Sequence, residues 1–241
     1  MMEITSLQNQ KIKEWNKLKQ VKYRKLNNLY LVEGEHLVNE AYNNNVLKEL
    51  IVLDNNLFID VPTFYVTKEI MKHLSDLTTP PHIIGVCAIT TNDEIGSKVL
   101  VLDNISDPGN TGTLIRSALA FNFDTVILSD DSVDLYNPKV IRATQGNHFK
   151  LNIITGDLNH YLNLIKEQKT PIYGTDVSNG INLKDINQSD KICIILGNEG
   201  SGIKPSLTKY IDKSINIEIN KDCESLNVGV AGSIIMYELN K

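Results

Sequence analysis

Short apolar runs alternate with amphipathic stretches along the chain, and this pattern indicates strands that alternate with helices. In the first part it predicts strands at residues 29–34, 50–54, 63–66 and 83–89 and helices at 7–18, 35–43 and 68–74. Elements of this length in this order predict a small α/β domain. The polar stretch that begins at Thr90 interrupts the pattern, so we interpret it as a linker and expect a domain boundary near residue 95.

From residue 96 to residue 241 the alternation is more regular. It predicts strands at 99–103, 125–129, 151–154, 171–176, 192–196 and 215–219, and helices at 111–121, 138–145, 157–168, 204–211 and 226–239. Apolar strands separated by helices favour parallel pairing, because each helix returns the chain to the same end of the sheet. We therefore expect a doubly wound α/β domain with ligand-binding loops at the carboxyl ends of its strands.

Composition narrows the classes of protein that fit this pattern. A chain of 241 residues, of which 41% are hydrophobic, is long enough to bury a core in one large or two modest domains. We expect a cytoplasmic protein without a membrane span, because no apolar run approaches the roughly 18 residues required and the first residues are polar. The widely spaced cysteines, read as small buried residues, and the scattered histidines predict neither a disulfide framework nor a metal site.

Basic residues cluster near the N-terminus although the net charge of the chain is −5. Between Lys11 and Lys25 there are seven basic residues and one acidic residue, Glu14, with Trp15 and Tyr23 among them. A basic stripe with interleaved aromatic residues is typical of a surface that contacts a nucleic-acid backbone and stacks on bases. A solvated helix face has the same charge pattern, so charge alone leaves both interpretations open.

Three segments of the second domain combine glycines with polar side chains next to predicted strands. The first is DNISDPGNTGTLIRSA, which begins at Asp103 and predicts a tight turn followed by a helix that Thr111 or Thr113 caps. Arg116 would lie near the start of that helix, where a cation opposes the helix dipole. We therefore expect a phosphate or carboxylate partner for Arg116, with a structural ion pair as the alternative.

The second segment, LGNEGSG from Leu196, matches neither the dinucleotide-binding nor the P-loop glycine pattern. Its glycines still allow a ligand to approach the backbone closely. The third segment, CESLNVGVAGSIIMYE from Cys223, predicts a helix capped by Ser225. Gly229 and Gly232 are unfavourable in a helix interior, so they predict unusually close packing against another backbone, at a dimer interface or a threaded crossing.

In order and spacing, these three segments resemble the motifs of the SpoU (TrmH-like) RNA 2′-O-ribose methyltransferase family of the SPOUT superfamily. The resemblance covers residues 98–241, and the segment from ITSLQNQKIKEW to LVEGEHLVNEA resembles the family's ribosomal-protein-like substrate-binding domain. It implies a small α/β RNA substrate-binding domain at 1–95 and a methyltransferase domain at 96–241 whose parallel sheet carries a deep trefoil knot. It further implies S-adenosylmethionine as cofactor and a homodimer with the pocket near the interface.

The resemblance also implies site residues. The positions that the family places at the reacting ribose are Arg116, Asn110, Glu199, Ser225 and Asn227. The positions that would hold the cofactor are Thr175, Gly197, Ile217, Leu226 and Asn227. The basic residues that would contact RNA are Lys17, Lys19, Lys22, Arg24 and Arg142. The third motif departs from the family pattern, because Glu218 and Lys221 replace the usual proline and glycine. The affinity of the pocket for the cofactor is therefore left open.

The implied reaction is methylation of a ribose 2′-hydroxyl in RNA, with 23S ribosomal RNA favoured over tRNA because of the N-terminal domain. We expect Arg116 to stabilise the developing alkoxide or to grip a phosphate, since an arginine stays protonated and is a poor general base. Two alternatives stay open: a tRNA 2′-O-methyltransferase, and a knotted RNA-binding protein without useful affinity for the methyl donor. The missing GxGxxG pattern disfavours a dinucleotide-dependent enzyme.

Overall fold

The computed structural model describes residues 2–54, 60–176, 180–186 and 189–240. The chain divides into two compact units. The first comprises residues 1–90 together with 134–149, and the second comprises 91–133 together with 150–241. Among the described residues, none of the helices has the length and hydrophobicity that crossing a bilayer requires.

The elements alternate between strand and helix through most of the chain. The strands are β1 (Met2–Ile4), β2 (Leu29–Glu33), β3 (Leu47–Val52), β4 (Thr63–Val66), β5 (Ile83–Ala88), β6 (Lys98–Leu102), β7 (Thr125–Ser129), β8 (Asn152–Gly156), β9 (Ile172–Thr175), β10 (Ile181–Asn182), β11 (Ile192–Leu196) and β12 (Lys213–Asn216). The α-helices are α1 (Gln10–Lys17), α2 (Val21–Asn27), α3 (Glu35–Asn43), α4 (Lys68–Leu74), α5 (Pro108–Ala120), α6 (Pro138–Thr144), α7 (Leu158–Glu167) and α8 (Val228–Glu238). Short 3₁₀ helices occupy Asn147–Phe149, Leu183–Asp185 and Pro205–Tyr210.

The first unit is built on a mixed sheet in the order β1-β4-β3-β5-β2. The pairs β1–β4 and β3–β4 are parallel, whereas β5 runs antiparallel to both β3 and β2. Helices α1 and α4 contribute Ile12, Trp15 and Ile70 to one hydrophobic core, and α3 and α6 contribute Val38 and Ile141 to another. Successive residues of β3 belong to different cores, because side chains along a strand alternate between the two faces of the sheet.

Residues 134–149 belong to the first unit because their side chains complete its core. Ile141 lies in the same core cluster as the residues of α3, and the hydroxyl of Tyr30 is 3.3 Å from His148 Nε2. Asp134 forms an ion pair with the buried Arg24. The predicted division into 1–95 and 96–241 does not account for this segment, because these contacts join residues that are far apart in the sequence.

The second unit is built on a seven-stranded sheet in the order β10-β12-β9-β11-β6-β7-β8. Every pair in it is parallel, which confirms the predicted parallel α/β sheet. All residues of β7 and β11 are buried, as expected when helices cover both faces of a parallel sheet. The trefoil knot that the resemblance implies stays a prediction.

The structure corrects several predicted boundaries in the second unit. The helix predicted at 111–121 begins at Pro108, because Asp107 rather than Thr111 or Thr113 is its N-cap, with proline at the first helical position. The last helix begins at Val228, after the N-cap Asn227, rather than at Leu226 after a Ser225 cap. Residues 204–211 were predicted to be α-helical, but they contain the 3₁₀ helix Pro205–Tyr210. The pattern also missed β1 and β10, which are too short to show a periodicity, and α2, whose apolar residues Val21 and Leu26 are exposed.

Candidate active site

A cavity of about 550 Å³ opens at the carboxyl ends of β9, β11 and β12. The loops that follow these strands and one face of α8 form its walls. The lining residues are Thr175, Asp176, Leu196, Gly197, Asn198, Glu199, Gly200, Ser201, Gly202, Ile217, Ile219, Glu224, Ser225, Leu226, Val228, Ala231 and Ile235. Both the size and the position at strand ends are those of small-molecule sites in open α/β sheets.

Three polar side chains, one from each motif segment, are joined by hydrogen bonds beside this cavity. Asn227 Nδ2 donates to Asn110 Oδ1 at 3.0 Å, and Asn110 Nδ2 donates to Glu199 Oε1 at 2.7 Å. Glu199 and Asn227 are exposed and Asn110 is half-buried, so the remaining polar atoms can reach a ligand. The structure therefore brings together three of the five side chains that were predicted to surround the reacting ribose.

Helix caps hold two of these side chains in place. Asp107 Oδ1 accepts a hydrogen bond from the backbone N of Asn110 at 2.7 Å and fixes the first turn of α5. Asn227 Oδ1 accepts from two backbone N–H groups in the first turn of α8, at 3.0 and 3.2 Å. Because its oxygen is occupied by the helix, the amide nitrogen of Asn227 is directed at Asn110. Ser225 does not cap the helix as predicted, and it lines the cavity instead.

Close packing of α8 against α5 brings the two caps together. A Cβ at Gly232 would lie 2.3 Å from Leu114 Cδ2 and 2.6 Å from Leu196 Cδ1. At Gly229 a Cβ would lie 3.3 Å from Asn110 Oδ1. The prediction of close packing at both glycines is confirmed, but the nearest neighbours within the chain are side chains rather than the backbone that was predicted.

The loop that carries Glu199 has a tight geometry. Asn198 and Gly202 exchange two backbone hydrogen bonds, of 3.1 and 2.9 Å. Gly202 has φ +68°, in the left-handed region that favours glycine. Asn198 Nδ2 also donates to the backbone oxygen of Asn104 at 2.9 Å, which ties the loop to the end of β6. Glu199 therefore occupies the bend of a closed loop that presents it to Asn110.

The predicted cofactor residues divide into two groups. Thr175, Gly197, Ile217 and Leu226 line the cavity, whereas Asn227 does not. The apolar side chains of the wall suit an adenine ring. The backbone groups and carboxylates of the loops suit ribose hydroxyls and a cationic amino-acid moiety. The residues present therefore fit S-adenosylmethionine.

Arg116 is not part of the hydrogen-bonded network. Its side chain is exposed and does not line the cavity, and it forms no hydrogen bond or ion pair with the described residues. Since α5 begins at Pro108, Arg116 lies more than two turns from the helix start, where the helix dipole has little effect on a cation. The alternative of a structural ion pair at Arg116 therefore finds no partner within the described part of the chain.

The two departures in the third motif lie outside the wall of the cavity. Ile217 and Ile219 line the cavity, while Glu218 between them does not. Asn182 Nδ2 lies 3.5 Å from Glu218 Oε2, at the limit of a hydrogen bond. Lys221 is exposed and also absent from the lining. Neither substitution therefore adds a charged side chain to the lining of the cavity.

In the first unit, two residues of the predicted RNA-contact surface are buried. The side chain of Trp15 is 2% exposed, and its Nε1 donates to Glu49 Oε2 at 2.7 Å. Arg24 is 3% exposed, donates to two backbone carbonyls at 2.9 and 2.8 Å, and pairs with Asp134. The predicted contact of Arg24 with RNA is therefore wrong, and Trp15 is not the stacking platform considered for it, because neither side chain reaches the surface.

Two further predicted RNA contacts have protein partners. Lys19 Nζ lies 3.0 Å from Asp76 Oδ1 and donates to a backbone carbonyl at 3.0 Å. Arg142 has one buried guanidinium nitrogen 4.0 Å from Glu33 Oε1. These ion pairs reduce the charge that Lys19 and Arg142 offer to a phosphate.

The exposed lysines Lys17 and Lys22 lie beside the half-buried Tyr23, and we call these three residues the Tyr23 cluster. The Nζ atoms of Lys17 and Lys22 lie 5.3 and 5.8 Å from the centroid of the Tyr23 ring. The basic stripe seen in the sequence is thus reduced to a smaller exposed surface with one aromatic ring.

Burial keeps two of the cysteines and one histidine in their neutral forms. Cys87 and Cys193 are buried, and burial raises the pKa of both thiols, which keeps them protonated. Cys223 is exposed, contrary to its predicted burial. Burial lowers the pKa of His148 to about 3, so this ring is neutral at pH 7. Within the described ranges, no group of three or more His, Cys, Asp or Glu side chains is placed to hold a metal ion.

Comparisons with known proteins agree with the geometry of both units. Residues 97–237 match the SpoU rRNA Methylase family, and residues 9–85 match the MRM3-like substrate binding domain. The chain is 35% identical, over 99% of both chains, to the Bacillus subtilis protein named 23S rRNA (guanosine(2553)-2'-O)-methyltransferase RlmP.

Solved structures show the same fold. A TrmH-family protein from Porphyromonas gingivalis superposes with a TM-score of 0.88 at 27% identity, over 97% of this chain and 98% of that chain. An AdoMet-bound rRNA methyltransferase from Sinorhizobium meliloti superposes with a TM-score of 0.86 over 98% and 96%, and at 23% identity it supports the fold alone. The motifs, the parallel sheet, the family match and the full-length relative agree, and the chain therefore belongs to the SpoU rRNA methylase family.

Proposed function

We propose that this protein transfers a methyl group from S-adenosylmethionine to a ribose 2′-hydroxyl of 23S ribosomal RNA. Membership of the SpoU family and the full-length likeness to a relative named as a 23S rRNA 2′-O-methyltransferase support this proposal. The observation that carries it is the network of Asn110, Glu199 and Asn227 beside a cavity of ligand size.

Bound S-adenosylmethionine supplies a methyl group on a positively charged sulfur. Ile217, Leu226 and Ile235 give the cavity an apolar wall for the adenine ring. Glu199 and Glu224 line the same cavity, and their carboxylates favour the cationic part of the ligand. Glu218 does not line the cavity. Its carboxylate therefore gives no reason to expect weak binding of S-adenosylmethionine.

The transfer would form a bond from the ribose oxygen to the methyl carbon as the sulfur–methyl bond breaks, with S-adenosylhomocysteine as the leaving group and the hydroxyl proton passing to solvent. It requires that the ribose hydroxyl is aligned with the methyl group and that its developing negative charge is stabilised. The network of Asn110, Glu199 and Asn227, with the hydroxyl of Ser225, provides preorganised donors and acceptors that orient the ribose. Arg116 has an exposed guanidinium without a partner among the described residues, and it supplies the positive charge for the alkoxide or an adjacent phosphate. A general-base role is not assigned to it, because arginine stays protonated.

Ribose methylation mapped on total RNA, from cells with and without the gene, tests the substrate. We expect one ribose of 23S rRNA to lose its methyl group when the gene is absent, and purified protein to restore it. Loss of a tRNA methyl group instead would favour the tRNA alternative. Calorimetry without measurable heat on addition of S-adenosylmethionine would favour the RNA-binding alternative without donor affinity.

We also propose that the protein acts as a homodimer through the outer face of α8. Val230, Ile234 and Tyr237 lie on this face and are 47%, 39% and 57% exposed, although the opposite face of the helix is buried. Exposed apolar stripes of this kind mark association surfaces. Sedimentation velocity should give the mass of two chains, and the mass of one chain would contradict the proposal.

The Tyr23 cluster is proposed as an RNA contact of the N-terminal unit. Replacing Lys17 and Lys22 by alanine should weaken RNA binding and reduce the slope of log K against log salt by about 1.4 to 1.8, because two phosphate contacts are lost. Tyr23→Ala should weaken binding by about 1–3 kcal/mol through lost base stacking, with little change in the salt slope. Filter binding at several salt concentrations measures both quantities.

A matched control for this prediction is the double replacement of Lys48 and Lys68 by alanine, since both lysines are exposed in the same unit outside the cluster. The control should leave the slope nearly unchanged. If the two double variants gave equal slopes of log K against log salt, the Tyr23 cluster would be a solvated helix face rather than an RNA contact.

A further inference from the structure

The carboxylate of Asp103 is completely buried one residue after the end of β6. Its Oδ2 accepts a hydrogen bond from the backbone N of Lys204 at 2.7 Å, and its Oδ1 lies 3.4 Å from Lys204 Nζ. A buried carboxylate is costly unless it is paired, so both of its interactions with Lys204 matter for this part of the fold.

Lys204 is held by a second carboxylate. Its Nζ also pairs with Asp131, in the loop that follows β7. Their hydrogen bond lowers the pKa of Asp131 and raises the pKa of Lys204, so the pair is ionised at neutral pH. Backbone and side chain of Lys204 are thus both fixed, and with them the point where the Glu199 loop ends.

The beginning of the same loop is fastened to the same place. The backbone N of Asp103 donates to the oxygen of Leu196 at 2.9 Å, and Asn198 Nδ2 donates to the oxygen of Asn104 at 2.9 Å. Both ends of the loop at residues 197–203 are therefore attached to residues 103 and 104. These two residues also begin the segment that leads into α5 and to Asn110. We call residues 103, 104 and 204 the anchor, because together they set the positions of both Glu199 and Asn110.

We propose that Asp103 and Lys204 are positioning residues, which hold the loop at 197–203 so that Glu199 meets Asn110. Neither residue lines the cavity, so neither is expected to touch the substrate or the cofactor. The inference rests on the proposed function, because it assigns to this anchor a part in methyl transfer. A purely structural ion pair is the alternative, and it would affect stability without a specific effect on turnover.

Lys204→Met tests the proposal, with Lys166→Met as its matched control. Lys166 pairs with Asp212 in the same unit, and the side chains of that pair are 37% and 45% exposed, against 41% and 47% for Lys204 and Asp131. We expect Lys204→Met to lower kcat at least tenfold with KM for RNA within twofold of wild type. We also expect at least tenfold faster amide exchange at residues 197–203, measured by mass spectrometry. Lys204→Arg should recover most of kcat, and Lys166→Met should match wild type in every measurement.

Asp103→Asn is a second variant that distinguishes a loss of turnover from a folding defect in Lys204→Met. The asparagine keeps an acceptor for the backbone N of Lys204 and removes only the charge, so a smaller fall in kcat with normal thermal stability is expected. Turnover of both variants equal to that of Lys166→Met would overturn the proposal, even if the loop exchanges faster. Amide exchange does not depend on methyl transfer. A wild-type protein that fails to methylate RNA would therefore refute the proposed function, while the exchange comparison would still report on the anchor.

Discussion

Arg116→Ala is expected to lower the rate of methyl transfer roughly 100- to 1,000-fold, the effect of removing one preorganised donor from a developing negative charge. The affinity for S-adenosylmethionine should stay nearly unchanged, because the side chain is exposed and does not line the cavity. Single-turnover methylation of RNA measures the rate, and calorimetry measures the affinity. The rate should therefore fall while the affinity for S-adenosylmethionine stays the same, because the change removes a charge that acts on the RNA and not on the cofactor.

Two controls make this result specific to the guanidinium. Arg116→Lys keeps the charge and loses the planar bidentate donor, so it should recover part of the rate. Lys209→Ala removes another exposed cation of the same unit and should stay within twofold of wild type. If Arg116→Ala keeps more than a tenth of the wild-type rate, the assignment of alkoxide stabilisation to Arg116 is wrong.

The architecture of the second unit could be predicted because its signals are local. Each buried strand is a short apolar run, and strands such as β7 and β11 agree with the predicted ranges. The meeting of Asn110, Glu199 and Asn227 followed from the resemblance, since each residue stands in a motif next to a strand end or helix start. Their hydrogen bonds depend on caps such as Asp107, which the Asp-Pro step at a helix start could have indicated.

The errors arise where long-range contacts decide the outcome. Charge counts could not show that Arg24 is buried, because its partner Asp134 lies 110 positions further along the chain. The same contacts place residues 134–149 with the first unit. Trp15 was considered as a stacking platform beside the basic residues, but it was also expected to face inward on the helix at 7–18, and its place in the core confirms that expectation. Periodicity identifies the apolar face of a helix, but not which charged residues that face also buries.

Gly197→Ala is expected to lower the affinity for S-adenosylmethionine about 100-fold, which corresponds to about 2.7 kcal/mol. A Cβ at this position would lie 2.2 Å from the carbonyl carbon of Gly202 and 2.3 Å from the backbone N of Ile203. Both neighbours are backbone atoms, so the loop must open, and the paired backbone hydrogen bonds between Asn198 and Gly202 are lost. Each such bond contributes about 1 kcal/mol, and the cavity wall that they shape is lost as well.

Gly200→Ala is the matched control, because it adds the same methyl group to the same loop. Its Cβ would meet only Asn198 Oδ1, at 3.6 Å, which is an ordinary contact. We expect this variant to bind S-adenosylmethionine within threefold of wild type, and calorimetry on both variants measures the difference. Equal affinities would show that the closed loop is not needed for the methyl donor. The difference expected here would instead show that the donor depends on the backbone geometry of residues 197–202 rather than on side-chain volume in the loop.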